Sequence, residues 1–458
     1  AAQGEFGGEQ HIGTRGLGAG CRIEDPACIA GEVAHDTIEL GNRDGKRGFH
    51  GATLYREAVP VRASAMPPGR CRMAAMPTFH LHAALAEIPA DQWDALAGQA
   101  PLAHAFLSTL EASGCVAPRT GWTPRHASLW EGDTLLAAMP LYLKAHSYGE
   151  YVFDWAWADA YQRHGLDYYP KWLAALPFTP VPGRRILGRD EASRRALLGQ
   201  VLALVRHSGA SSFHLLFPTA EEASWLQEAG LALRHGVQFH WHNAGYRSFD
   251  DFLGRLTHTK RKKIRQERRK VAEAGVSFRI LRGAAITDAD WAFFHACYAR
   301  TYAEHRSTPY LTRGFFTDYG RQAGDACVLM IAERAGRPVA ASFFLRDADA
   351  LYGRYWGAIE YIPCLHFEAC YYQAIAYAIA EGLSRFEGGA QGEHKLSRGL
   401  EPVRTTSAHW IADPRFADAV ADFLARERGG VEDYLDELSE HLPFRADASA
   451  PDDGGTLP

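Results

Sequence analysis

Apolar residues in this chain follow two patterns, stripes with a period of about 3.6 and short bounded runs, and both begin at Met76. Before it, residues 1–75 are rich in Gly, Ala and Arg and keep neither period, so they are expected to be a disordered N-terminal extension; residues 446–458, polar and enriched in Pro and Gly, read as a disordered tail. Helices announce themselves in the body. Phe367, Tyr371, Ile375, Ile379 and Leu383 step by four and form one apolar stripe, with Gly382 as its stop. Ser248 with Asp251 three residues on is a capping pattern, and it opens a helix predicted over 249–274. There Leu253, Leu256, Lys260, Ile264 and Val271 share one side, while Arg261, Arg265, Arg268 and Arg269 crowd another. Thr287 with Asp290 opens a further helix carrying Trp291, Phe294, Tyr298 and Tyr302.

The bounded runs recur in order. TLLAAMPLYL (Thr134–Leu143) followed by YVFDW (Tyr151–Trp155) matches RPVAASFFLR (Arg337–Arg346) followed by YGRYW (Tyr352–Trp356), and both pairs read as hairpin strands. GASSF at Gly209–Phe213 then matches GLSRF at Gly382–Phe386, and GLALRHGVQFHW (Gly230–Trp241) matches GLEPVRTTSAHW (Gly399–Trp410). Each copy reads as a hairpin, a helix, a further strand and a closing strand. A strand–helix–strand unit sets its strands parallel through a right-handed crossover, so the fold class is α/β with a mixed sheet. Residues 76–245 and 246–445 are expected to be two similar domains, with His240-Trp241 and His409-Trp410 at equivalent positions.

Composition narrows the classes. A chain of 458 residues that is 47% hydrophobic can bury a large core. Its longest apolar run, LLAAMPLYL, is about half of what a membrane-spanning helix needs, and no signal peptide is recognisable, which predicts a cytoplasmic protein without a transmembrane segment. Cysteines at 21, 28, 71, 115, 297, 327, 364 and 370 form no CxxC pair, so no disulfide is expected. Cys364, His366 and Cys370 lack the downstream PCxxC of a zinc deaminase, and no metal is assigned. Against a net charge of −5, KRKKIRQERRK (Lys260–Lys270) holds eight cationic side chains in eleven residues. Such a block is either a solvated helix face or a site for phosphates, which Arg binds in a bidentate manner. Insertion into a membrane surface would need larger apolar residues on its other face, and no motif for sequence-specific DNA binding is present.

A hairpin, a helix after the fourth strand and a parallel fifth strand resemble the GNAT acyltransferase fold, and two tandem copies resemble the FemAB-type branch, over roughly residues 76 to 445. THTKRKKIRQERRKVAEAGV is similar to that family's basic helix before the second copy, and FEGGAQGEHKLSRGL to its glycine-containing strand end followed by a lysine. The resemblance implies an N-acyltransferase of the kind used in peptidoglycan biosynthesis, two tandem GNAT-like domains, and a functional lysine at Lys395. It also implies acyl-CoA or aminoacyl-tRNA as the donor, with no tightly bound cofactor, an amine-containing acceptor, and tRNA as a possible partner. Neither copy has the QxxGxG/A loop of the ordinary coenzyme A site, and GGAQGEH is a loose echo of it, so the donor stays open between the two.

Amine attack on an ester or thioester needs a neutral nucleophile, donors for the oxyanion and a proton for the leaving group. After the GxSxF match the first copy continues HLLFPTAEEA and the second EGGAQGEHKLSRG, which places the chemistry in the second. Lys395 is the candidate cation for phosphate or oxyanion, and Glu387 and His394 compete as general base. His366, Glu368, Gln391, Arg398, Arg354 and Tyr372 are candidates for binding substrate, and Arg261, Arg265, Arg268 and Arg269 for binding phosphate. Asp154, Trp155 and Asp159 read either as an acceptor pocket or as part of an aromatic core segment. The competing functional class is a non-catalytic phosphate- or nucleic-acid-binding protein on the same scaffold; a membrane-associated structural factor is a third.

Overall fold

Unbroken runs of six and seven buried residues lie in two neighbouring strands, Cys327–Arg334 and Arg337–Arg346, which are therefore covered on both faces. The computed structural model describes residues 76–390 and 392–445; the proposed extension 1–75, the tail 446–458 and Gln391 lie outside the described residues. In the N-terminal half β1 (Thr78–His82) is followed by a hairpin of two interrupted strands: β2 (Trp122–Pro124) continues as β3 (His126–Glu131), and β4 (Thr134–Met139) as β5 (Leu141–Lys144). Pro140, which has no N–H to give to a ladder, sits at the second interruption. β6 (Lys171–Ala174), β7 (Leu187–Gly188), β8 (Ser212–Leu216) and β9 (Ala232–His242) follow. The other half contributes β10 (Val276–Arg282), β11 (Cys327–Arg334), β12 (Arg337–Arg346), β13 (Ala350–Ala358), β14 (Arg385–Glu387) and β15 (Glu401–Ile411).

These strands make a four-stranded sheet, β1-β3-β4-β7, and an eleven-stranded one, β10-β11-β12-β13-β14-β9-β15-β8-β6-β5-β2. In the large sheet β6 pairs parallel with β8, and β13 parallel with β14. The closing strands are exchanged. β9 lies between β14 and β15, and β15 between β9 and β8, so each half completes the other's sheet. Gly236 and Thr405, the seventh residues of the two matched twelve-residue segments, face each other in the β9–β15 pair. A core that includes Phe106 and Leu107 from one half and Phe315, Phe316 and Tyr319 from the other ties the halves together further.

Three local readings are corrected. YVFDW is not a strand: Tyr151 has a φ of 62°, which a regular strand does not contain, and Asp154 takes the N-cap position of α1 (Trp155–Arg163) without a side-chain capping bond. The strand position falls to β6, and α2 (Glu191–His207) is the crossover to β8. The helix expected over 249–274 is two, α3 (Phe249–Arg255) and α4 (His258–Glu273). Leu256 between them is extended, fully buried and bridged to Phe444, and the Thr257 N–H donates to the Pro443 carbonyl at 2.8 Å. α5 (Asp288–Glu304) has the expected Thr287/Asp290 capping box. The aromatic stripe runs through one turn, Leu365–Phe367, a wide π-helical segment, Glu368–Tyr372, and α6 (Gln373–Ala380). Tyr371 and Tyr372 of the widened turn both lie in the core. α7 (Pro414–Glu440) closes the described chain.

Candidate active site

Glu387 ends β14 opposite His240 of β9, and paired residues of an antiparallel ladder share one face. Glu387 is 4% exposed. Its Oε1 accepts from Arg385 Nε at 3.2 Å, while Oε2 has no partner in the protein. Burial pushes the carboxyl up to about 7 against the pull of Arg385. Burial likewise holds His240 down at about 3, so its ring is neutral, and its Nε2 lies 3.1 Å from Gln238 Oε1. Loop residues of the N-terminal half cover this strand end: Gln238 donates to the Pro180 carbonyl, and the fully buried Arg185, whose charge acts on Glu387, donates to the carbonyls of Gly183 and Arg184. Tyr352, beside Glu387 in the parallel pair, donates to Asp347 at 2.7 Å and accepts from Arg385 at 3.2 Å.

Lys395 approaches from the other side. A Cβ on Gly388 would lie 3.3 Å from Lys395 Cδ and 2.7 Å from Leu400, so the lysine stem occupies the space that glycine leaves. Successive strand residues face opposite ways, which puts Glu387 and Lys395 on opposite sides of the strand end. Lys395 Nζ donates to the Gly389 carbonyl at 3.1 Å, and its charge acts on both His240 and His366.

On the lysine's side the turn Glu393–Arg398 meets the π segment. His394 Nε2 is 3.0 Å from the Tyr371 hydroxyl, and burial, then Arg398 and Lys395, hold it at about 4. His366, at about 3 for the same chief reason, packs at a tilt against Trp356, ring centroids 5.5 Å apart, and lies near His394. Arg398 lies 3.4 Å over the Phe367 ring and donates to the His394 carbonyl and to Glu267, which also receives the Tyr372 hydroxyl. Arg398 and Tyr372 thus bind within the protein. Glu368 is held by Arg268 at 3.1 and 3.2 Å and by Gln373 at 2.7 Å. Arg354 stands apart, with its guanidinium on the Phe178 carbonyl of the other half. The structure therefore gathers His366, Glu368, Tyr372, His394, Lys395 and Arg398, and leaves Glu387 across the strand and Arg354 elsewhere.

The basic helix α4 buries Ile264 and Val271 and turns Arg265, Arg268 and Arg269 toward an open groove of about 670 Å³, shared with Phe278 of β10, Glu368 and Gln373. Arg261 is not among the groove's lining residues. Arg268 lies 4.5 Å over the Phe249 ring, and with Glu368 on its Nε and Nη2 its position is fixed. The Arg265–Asp250 pair is solvent-exposed at both ends and adds little. The volume suits a small anionic ligand or a stretch of a larger one.

Sequence reasoning missed a buried polar network in the N-terminal half. Lys171, fully buried, donates to Ser147, Glu150 and Asp154; the Tyr168 hydroxyl donates to Asp154 and lies 3.0 Å from His214 Nε2; His214 Nδ1 is 2.7 Å from His409 Nδ1. Burial brings Lys144 down to about 7 and Glu150 up to about 7; it also opposes the ionisation of Asp154, which Lys171 and His214 nevertheless hold below the usual range. A lysine inside the run YYPKWLAAL was the available signal. Asp154 therefore belongs to a network rather than a pocket wall. Among the described residues no group of three His, Cys, Asp or Glu side chains converges as metal ligands, and the described cysteines 115, 297, 327, 364 and 370 are free thiols. No described helix is long and apolar enough to cross a membrane.

A mixed sheet with parallel pairs at β6–β8 and β13–β14 thus carries a buried carboxylate at one strand end and a buried lysine across that strand end. The chain belongs to the FemAB-like family, described as peptidoglycan biosynthesis/recognition, whose model matches residues 84–446. No curated relative matches at a significant level. Among solved structures, the C-terminal domain of a putative lysylphosphatidylglycerol synthetase from Agrobacterium fabrum is similar at 13% identity and a TM-score of 0.48, over 75% of this chain and 97% of that one. FemX is similar at 10% identity and 0.45, over 72% and 96%. A tandem GNAT protein from the clavulanic acid biosynthesis pathway is similar at 12% identity and 0.39, over 74% and 99%.

Proposed function

We propose that this protein transfers an acyl or aminoacyl group from acyl-CoA or aminoacyl-tRNA to an amine, in the cytoplasm where such donors are made. We further propose that residues 76–245 and 246–445 are two copies of one unit, of which the second carries the reaction; the matching pairing order on either side of the β9–β15 pair supports this. Glu387 carries the functional reading: a buried carboxylate with one free oxygen, near half-protonation at neutral pH, is suited to take a proton from an incoming ammonium. The neutral amine then attacks the carbonyl carbon. A C–N bond forms as the C–S or C–O bond to the donor breaks, with the charge of Lys395 across the strand end favouring the oxyanion; the proton taken by Glu387 passes to the leaving thiolate or alkoxide, and the second proton lost by the attacking nitrogen goes to solvent. His394 suits the base role less, because its low basicity and its bond to Tyr371 leave it a weak acceptor.

Arg265, Arg268 and Arg269 would hold donor or acceptor phosphates in the groove. That the open groove lies at the basic helix favours, as a second reading, a non-catalytic phosphate- or nucleic-acid-binding protein. Incubation with mixed acyl-CoAs and charged tRNAs plus amine acceptors, read by mass spectrometry, separates the two. A new amide that disappears in Glu387→Gln supports transfer; binding of polyanions without any product under every donor supports the second reading.

A further inference from the structure

The long helix α7 is anchored by buried side chains at both ends, and between them it is tied to the body by the Arg234–Glu427 ion pair and the half-buried Tyr434. Phe416, Val420 and Leu424 are buried with Trp157, Tyr161 and Tyr168 of the N-terminal half, and Leu438 with Leu253 and Leu256 of the other. No helix residue between Leu424 and Leu438 is buried. Gly429 and Gly430 lie in that stretch, both exposed and helical, and a Cβ on either would meet nothing within 4 Å. Neither packing nor backbone conformation asks for glycine here. What two adjacent glycines do supply is a weak point, since only proline is worse in a helix interior.

Beyond that point α7 and the residues after it touch two parts of the candidate site. Tyr434 donates to Glu393 Oε1 at 2.7 Å, and Glu393 opens the turn that carries His394, Lys395 and Arg398. Pro443 accepts from Thr257 N–H, Phe444 bridges Leu256, and Arg445 N–H donates to the Arg255 carbonyl, all at the start of the basic helix. The turn itself is flanked by Gly389 and Gly392 on one side and Gly399 on the other, all at positive φ.

We propose that α7 is a strap hinged at Gly429–Gly430, whose C-terminal part, with Tyr434 as a positioning residue, clamps the Lys395 turn and the start of the basic helix and swings away to admit and release substrate. The functional half of this proposal rests on the assignment of Lys395 to the site, and the motion itself does not. Hydrogen exchange on the full chain tests the motion: residues 431–445 should exchange at least about tenfold faster than 414–428, and Gly429→Ala/Gly430→Ala should slow that segment by about tenfold without altering 414–428. Equal exchange in the two segments, or no response to the alanines, overturns the hinge. Kinetics test its use. The double-alanine variant should melt higher yet turn over more slowly, with kcat and KM falling together as release is slowed. Tyr434→Phe, which keeps the ring and loses the bond, should speed exchange over 392–398 and lower kcat with little change in melting temperature. A purely structural helix would change the melting temperature and leave kcat where it was, and that result overturns the strap. If the exchange pattern appears while Lys395→Ala transfers normally, the hinge stands and the assignment of Lys395 falls.

Discussion

Replacing Glu387 by Gln should make the protein more stable and less active at the same time, and the sign of the first effect follows from burial. Glu387 moves from its ordinary 4.5 to about 7 on folding. At about 1.4 kcal/mol per pKa unit, the charged form is roughly 3 kcal/mol less favourable inside the protein than in the unfolded chain. A group whose folded-state pKa is raised gives its full stabilising contribution below the unfolded value, near 4.5, and loses it as pH climbs through about 7. Glutamine has no charge to bury. The variant and the parent should therefore melt alike near pH 4.5 and diverge as pH rises, with the variant ahead by up to about 3 kcal/mol at pH 8. Loss of a general base should meanwhile cost about 10² to 10⁴ in kcat. The assays are calorimetric melting of both proteins across this range and kcat/KM against pH, where the parent should show a limb rising near 7. Parallel melting curves at every pH would refute the raised carboxyl, and a folded variant with normal turnover would remove Glu387 from the reaction.

Lys395→Ala should lower turnover by about 10² to 10³ while the protein stays folded, since it removes a charge needed as the oxyanion forms; circular dichroism and initial rates check both halves. Changing Arg261, Arg265, Arg268 and Arg269 together to Gln should raise KM for the donor and flatten its salt dependence, and a tRNA donor should show the steeper parent slope because several counterions leave at once. An unchanged salt profile in that variant would make the block a solvated helix face. Lys171→Met should destabilise by about 3 to 5 kcal/mol near neutral pH, because Glu150 and Asp154 lose their shared cation. Denaturant melts should show that deficit shrinking toward acid pH, where the carboxylates can take up protons instead.

Much of the fold was legible because its signals are local. The Thr287/Asp290 box, the step-by-four aromatic stripe and the matched Gly-Leu to His-Trp segments each record one element's own geometry, and β9 and β15 occupy the segments so marked. YVFDW failed because its aromatics look like a strand's, whereas the left-handed backbone at Tyr151 leaves no mark in residue spacing. The break at Leu256 was equally hidden, since it answers to Pro443 and Phe444, far along the chain. In the site, the turn residues could be read together because they are neighbours in sequence. That Glu387 and His394 lie on opposite sides of one strand end depends on a pleat, and His240 reaches Glu387 only through a ladder between distant segments. Spacing in one chain carries no such information.

The exchanged closing strands bear on how this protein is made. β8 has β15 as one of its two neighbours, and β15 ends at Ile411, so during synthesis the N-terminal half emerges with an open, apolar strand edge and keeps it until nearly the whole described chain has left the ribosome. Unpaired edges of that kind are where nascent chains aggregate. A fragment cut near residue 245 would carry the same exposed edge permanently, and co-expressing residues 246–445 should rescue its solubility only if β15 is present. Engineering either half in isolation therefore means supplying a surrogate for the strand it lacks.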